Sequence, residues 1–226
     1  MSKSQEYIDQ NISKFEEELF DLLRIPSVST DSSKKPAIKE AANFLLKQFE
    51  SFDLERVELF ETPGNPIVYA EHCPHDDKPT VLVYGHYDVQ PSDPDELWDS
   101  PAFEPVVKDG NVYARGASDD KGQSYTHVKA IESFRKTGQE IPVNVKFILE
   151  GEEEIGSPNL VPFITEHKDM LECDMVLISD TSMFGKDMPS ITYGLRGLAY
   201  MEVEVVGPNR DLHSGVYGGA VENPLN

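Results

Sequence analysis

The amino-acid sequence predicts an α/β fold: a mainly parallel sheet flanked by helices, followed by the start of a smaller α+β domain. Three observations carry this expectation. Apolar residues in the first fifty positions recur at helical spacing. Short apolar runs rich in β-branched residues, at 81–84, 143–149 and 175–178, read as buried strands. Those runs alternate with helical stretches, which implies βαβ crossovers and parallel pairing.

Ile8, Ile12, Phe15, Leu19, Leu22 and Leu23 form one face of a first helix that ends near Ile25-Pro26, where proline blocks continuation. A polar loop leads to a second helix starting around Pro36, with Ile38, Ala41, Ala42, Leu45 and Phe49 on one side. Strands at Val57–Phe60 and Ile67–Ala70 flank the turn signal Pro63-Gly64-Asn65-Pro66. His72 and His75 follow, and without a carboxylate partner they read as ordinary surface residues. The strand Val81–Tyr84 stops at Gly85 and delivers His86 and Asp88 to its carboxyl end, where open α/β sheets bind ligands. The proline-rich stretch 91–105 holds the single tryptophan, Trp98, and its apolar residues Leu97, Trp98 and Phe103 argue for packing. Asp109-Gly110 marks a hairpin. A helix then runs to about Thr137 and is stopped by Gly138. The strand Val143–Leu149 ends in Glu150-Gly151-Glu152-Glu153-Glu154. Ser157-Pro158 is expected to open a short helix to about His167, before the strand Met175–Ile178 ends at Ser179-Asp180. Beyond Asp180 the texture changes, and Leu198–Val206 reads as a period-2 strand. Residues 1–190 are expected to form one domain and 191–226 the beginning of a second.

The chain carries 20 basic and 41 acidic residues among 226, a net charge of −21. Nucleic acid is therefore not an expected partner, because phosphate binding needs basic surface. Neither is an anionic membrane. Two cysteines, Cys73 and Cys173, make no disulfide framework, and no apolar run suits a signal peptide or a membrane span. The expected compartment is the cytoplasm.

Four clusters now occupy equivalent places: His86 with Asp88, Asp119 with Asp120, Glu152 to Glu154, and Asp180. Each has a bland explanation. Asp119 or Asp120 would cap a helix, Glu152 to Glu154 would form a solvated turn, and Asp180 would cap a loop. Their coincidence changes the weighing. If the strands are neighbours in one parallel sheet, all four converge on one crevice. Carboxylates held together repel, and one or two divalent cations relieve that repulsion. Histidine with carboxylates suits zinc or manganese better than calcium. Two metals can share a bridging carboxylate and water, and a neighbouring glutamate can act as general base.

Gly85-His86-Tyr87-Asp88-Val89-Gln90-Pro91, Trp98-Asp99-Ser100-Pro101, Gly116-Ala117-Ser118-Asp119-Asp120-Lys121-Gly122 and Glu150-Gly151-Glu152-Glu153-Glu154-Ile155-Gly156-Ser157 together resemble a known family. It comprises the di-metal peptidases and deacylases that include carnosinase, acetylornithine deacetylase and succinyl-diaminopimelate desuccinylase. The tryptophan loop and Asp119-Asp120-Lys121-Gly122 point to its carnosinase-like dipeptidase branch. The resemblance runs from Arg24 to Gly215 and implies the zinc-peptidase catalytic fold, with a lid and dimerisation domain beginning after residue 190.

It also implies roles. His86 and Asp180 would bind one metal, Asp119 would bridge two, Glu154 would bind the second, and Glu153 would be the general base. Asp88 would orient His86, and the Asp119–Asp120 peptide would be cis. His213 would reach the active site of the partner in a homodimer of the full-length protein. The metals would be two zinc ions, with manganese as the alternative. The implied reaction is hydrolysis of amide bonds in dipeptides or small peptides. The alternatives are an N-acyl-amino-acid deacylase with the same machinery and an inactive metal-binding fragment. The family's chains are about twice this length, so the sequence is expected to be an amino-terminal half lacking a final histidine ligand.

Overall fold

A computed structural model describes residues 2–185, 187–208 and 210–221. It divides into two compact units, Met1–Ser182 and Met183–Asn226.

The first unit opens with α1 (Lys3–Arg24), capped by Ser2, whose Oγ accepts the Gln5 N–H at 3.2 Å. Arg24 in the last turn suits the negative end of the helix. A 3-10 turn at Ser32–Lys34 leads into α2 (Lys35–Glu50), which has Pro36 in its first turn. The strands and remaining helices follow as β1 (Arg56–Phe60), β2 (Ile67–His72), β3 (Thr80–His86), β4 (Val106–Lys108), β5 (Asn111–Tyr113), α3 (Lys121–Thr137), β6 (Asn144–Glu150), α4 (Leu160–Glu166) and β7 (Met175–Ile178). Gly138 ends α3 in the left-handed conformation, φ 64°, which glycine adopts without a Cβ penalty.

The main sheet has the order β1-β2-β6-β3-β7, and β4-β5 is a separate hairpin. β6, β3 and β7 are parallel, while β2 runs against both of its neighbours. Four of the five strands therefore share one direction, with β2 inserted against it. Side chains alternate between the two faces of a strand. Val68, Ala70, Val83, Val145, Phe147 and Leu149 point to one face, where they pack with Ala41, Leu45, Phe49, Tyr125 and Val128 of α2 and α3. Ile67, Tyr69, Leu82 and Ile148 point to the other, with Phe163 of α4 and Leu171. α1 lies against α3. There Lys129 and Glu132 of α3 are buried and paired, and Lys14 and Tyr7 of α1 also bond Glu132.

β7 forms one edge of the sheet, and its four residues are exposed. Among the described residues, no helix is long and apolar enough to cross a membrane.

Three local expectations change. The helix after Ser157-Pro158 begins later, at Leu160 with Asn159 before it, because the Ser157 hydroxyl is spent on the Glu150 carboxylate at 2.7 Å. Leu97 is exposed, so the tryptophan loop is held by polar bonds instead: Trp98 Nε1 donates to the Ser92 carbonyl at 2.9 Å, and the Arg115 guanidinium lies over its ring. In the second unit the segment 198–206 forms no strand. A strand needs a partner for its backbone groups, and among the described residues this segment has none. That unit's described regular structure is a bridge between Gly185 and Met188 and the short helix α5 (Ser214–Tyr217).

Candidate metal centre

β3 ends at His86, level with Glu150 at the end of β6. The imidazole is buried, and its Nδ1 lies 3.0 Å from the Asp88 carbonyl oxygen. A carbonyl only accepts, so Nδ1 carries a hydrogen, and Nε2 can offer a lone pair once it gives up its own proton. Nε2 lies 3.1 Å from Asp119 Oδ1, 3.5 Å from Asp180 Oδ2 and 3.9 Å from Glu153 Oε2. One ligand atom each from His86, Asp119 and Asp180 falls within 4.8 Å of the others. Two ligands held ~2.0–2.1 Å from a tetrahedral zinc would lie about 3.3 Å apart, so the spacing around Nε2 fits one divalent ion.

Each residue reaches this point through an identifiable device. Val28 bridges Val89 in parallel, and the Val89 N–H donates to the Ser27 carbonyl at 3.0 Å, which fixes the chain leaving β3. Gly85 lets the start of α3 press against β3: a Cβ there would lie 1.9 Å from Ser124 Oγ and 2.7 Å from Asp120 Oδ2. The Asp119–Asp120 peptide is cis. Asp120 is buried, and its Oδ2 accepts the His86 backbone N–H at 3.1 Å and the Ser124 hydroxyl. Lys121, also buried, donates to the Leu22 and Ile25 carbonyls at the end of α1. Asp180 lies two residues past the end of β7.

Asp88 is fully buried and does more than face the histidine. Its Oδ1 accepts the Glu153 N–H at 3.2 Å and its Oδ2 the Glu154 N–H at 3.1 Å, while Oδ1 is 3.4 Å from His86 Nδ1. One carboxylate thus fixes both the imidazole and the turn bearing two glutamates.

The three consecutive glutamates have three fates. Glu152 is buried and accepts N–H groups from Asn65 and Asn159. Glu153 faces His86. Glu154 turns onto Gln90, which donates from its backbone N at 3.2 Å and from Nε2 at 2.7 Å. Glu154 is not one of the three clustered ligands. His72 and His75 bond Glu55 and the Ile141 carbonyl. His213 lies in the second unit, where its Nδ1 accepts the Gly215 N–H at 3.0 Å and caps α5.

The local charge is strongly negative. Burial alone would lower the His86 pKa, but the Asp88 bond and the charges of Asp88, Asp120 and Glu153 push it up to about 10. Burial lifts Asp120 to about 6 and raises the Glu153 and Glu154 carboxyls as well. The proton on His86 answers the same field that a divalent cation would answer, and a metal ion displaces such a proton when it binds. Among the described residues, Asp120 Oδ1 is buried without a hydrogen-bond partner.

Sequence reasoning missed His127. This α3 residue places Nε2 2.9 Å from Ser179 Oγ, beside Asp180, and nothing in its helical spacing marks it out.

His86 and Asp180, at and just past the carboxyl ends of two parallel strands, meet Asp119 at the start of α3 in a candidate metal site on an α/β sheet with helices on both faces. The chain belongs to the peptidase family M20/M25/M40, whose sequence model matches residues 82–214. It is 37% identical over its whole length to the Cys-Gly metallodipeptidase of Schizosaccharomyces pombe, covering 50% of that protein. It is 35% identical to the Beta-Ala-His dipeptidase of Homo sapiens, over 96% of this chain and 41% of that one. The structure matches the di-peptidase Dug1p from Saccharomyces cerevisiae with a TM-score of 0.84 at 31% identity, over 99% of this chain and 50% of that chain. Human carnosine dipeptidase 1 matches with a TM-score of 0.79 at 26% identity, over the same shares. The chain spans about half the length of the curated relatives it matches.

Proposed function

We propose that this chain carries part of a metal-dependent dipeptidase. The observation that carries the reading is the placement of one ligand atom each from His86, Asp119 and Asp180 within 4.8 Å of one another, with His86 Nε2 3.1 Å from Asp119 Oδ1 and 3.5 Å from Asp180 Oδ2. His86, Asp119 and Asp180 would hold that ion, with Glu154 and Asp119 contributing to a second. Such ions supply Lewis-acid chemistry: they polarise a peptide carbonyl and acidify a water.

The chain's own residues supply the proton handling. Glu153 Oε2 lies beside the cluster, takes a proton from the attacking water and returns it to the leaving amine nitrogen. Asp88 keeps Glu153 in place through its backbone N–H and keeps a hydrogen on His86 Nδ1. Zinc, with manganese as the alternative, suits one imidazole among carboxylates. The names of the relatives support Cys-Gly and β-Ala-His as substrates to try first. A further role follows from the resemblance of Asp211-Leu212-His213-Ser214-Gly215 to the family's pattern: His213 would serve the site of a second subunit in a homodimer of the full-length protein.

The test is hydrolysis of Cys-Gly, β-Ala-His and N-acetylated amino acids by the zinc- and manganese-loaded protein. The dipeptides should be cleaved in preference. Glu153→Gln should reduce turnover by about 10²–10⁴-fold, the usual contribution of a positioned acid–base group, with bound metal unchanged. Activity that survives in Glu153→Gln removes the base assignment.

A further inference from the structure

β7 is a four-residue edge strand whose side chains are exposed, and its ladder with β3 ends at the pair Tyr84–Ile178. Asp180 therefore lies beyond the part of the strand that the sheet holds. The Thr181 N–H bonds back to the Ser179 carbonyl at 2.7 Å, which shapes the turn but ties it to nothing else. Among the described residues, one side-chain hydrogen bond attaches this turn to the rest of the unit: His127 Nε2 to Ser179 Oγ, at 2.9 Å. His127 sits nearly two turns into α3, the helix that starts immediately after Asp119-Asp120.

We propose that His127 is a positioning residue that sets the Asp180 carboxylate against Asp119 and His86. α3 then governs two of the three clustered ligands. It carries Asp119 at its amino end and holds Asp180 through His127 and Ser179. The device answers a physical need. His86 Nε2 lies 3.1 Å from Asp119 and 3.5 Å from Asp180 and draws both carboxylates inward, but the exposed edge strand does little to fix the orientation of the turn that carries the second one. The second carboxylate is held by a bond to its neighbour in sequence, one residue removed from the ligand. His127 touches no ligand atom and takes no part in proton transfer.

This inference rests on the metal reading, so the experiment separates the two. Cobalt(II) is titrated into the 226-residue chain and its variants, with affinity and the visible d–d spectrum as readouts. Circular dichroism of each metal-free variant verifies folding. His86→Ala should abolish binding. His127→Ala and Ser179→Ala should each weaken cobalt about 10-fold and shift the d–d bands, the usual effect of losing a group that orients a ligand. The double variant should bind no worse than either single one, because both remove the same bond. His127→Gln, whose amide nitrogen can reach the Ser179 hydroxyl, should restore part of the affinity. Ser179→Ala alters one exposed turn and keeps the His127 ring, so it remains informative if His127→Ala folds poorly. Unchanged affinity and spectrum in Ser179→Ala, or losses that add in the double variant, overturn the positioning role. A chain that binds no cobalt, or binds it equally well as His86→Ala, overturns the metal reading and this inference together.

Discussion

Gly85→Ala tests whether the site is built by the close approach of α3 to β3. The added Cβ would lie 1.9 Å from Ser124 Oγ and 2.7 Å from Asp120 Oδ2, well inside van der Waals contact. Ser124 is buried and short, so relief requires its hydroxyl to swing away and give up its bond to Asp120. Overpacking a dense interior costs ~1–3 kcal/mol. Losing a hydrogen bond to a charged acceptor costs a further ~1.5–3 kcal/mol. A domain of this size melts about 2–4 °C lower per kcal/mol, so the metal-free variant should melt roughly 5–25 °C below the parent. The assay is thermal unfolding followed by circular dichroism, run with Ser124→Ala and the double variant. Removing Ser124 Oγ relieves the shorter clash, so the double variant should lose less than the sum of the singles. A Gly85→Ala chain that melts with the parent, or losses that simply add, would refute the reasoning.

Two further predictions concern ions and protons. Zinc at about 100 times its dissociation constant should stabilise the folded chain by ~2.7 kcal/mol, roughly 5–10 °C in melting temperature. A chelator should reverse the shift, and His86→Ala should show none; an equal shift in that variant would exclude His86 as a ligand. Glu132 is buried and accepts hydrogen bonds from Tyr7, Lys14 and Lys129. Burial alone would raise its pKa, but the bonds from Lys129 and Lys14 outweigh that and hold the carboxyl below its ordinary value. A depressed folded-state pKa gives stability that is present above the unfolded carboxyl's value of ~4.3 and is lost as pH falls through the folded value. Glu132→Gln should therefore melt lower than the parent near neutral pH and converge with it in acid; a difference constant over that range would contradict the linkage.

The helices and strands of the first unit were legible because each segment carries one period. Ile38, Ala41, Ala42, Leu45 and Phe49 are spaced for one helical face, and all five are buried. Gly138 ends its helix where a left-handed residue was needed. Topology was less legible. Nothing in Ile67–Ala70 says that β2 pairs with β6, because pairing depends on which neighbour remains after the crossover through α3. The segment 198–206 shows the opposite failure. Its alternation satisfies one requirement of a strand, but a strand also needs a partner, and no local pattern supplies one.

The site shows where residue type stops being informative. Asp88, Asp119, Asp120, Glu150, Glu152, Glu153, Glu154 and Asp180 all lie in the motifs that follow strands or open helices, and composition treats them alike. Their burial and hydrogen-bond partners separate them. Asp88 and Glu152 accept backbone N–H groups and are sealed in, so their charge is spent on holding turns. Glu150 accepts the Tyr84 and Ser157 hydroxyls at 2.7 Å. Glu154 is held by Gln90. Among the described residues, only Asp119, Asp180 and Glu153 bring carboxylate oxygens within 4 Å of His86 Nε2. A sequence can therefore announce a surplus of carboxylates at a crevice. The supply of nearby N–H and O–H donors decides which of them turn toward His86 Nε2, and those donors come from elements as distant in sequence as Asn65, Gln90 and Asn159.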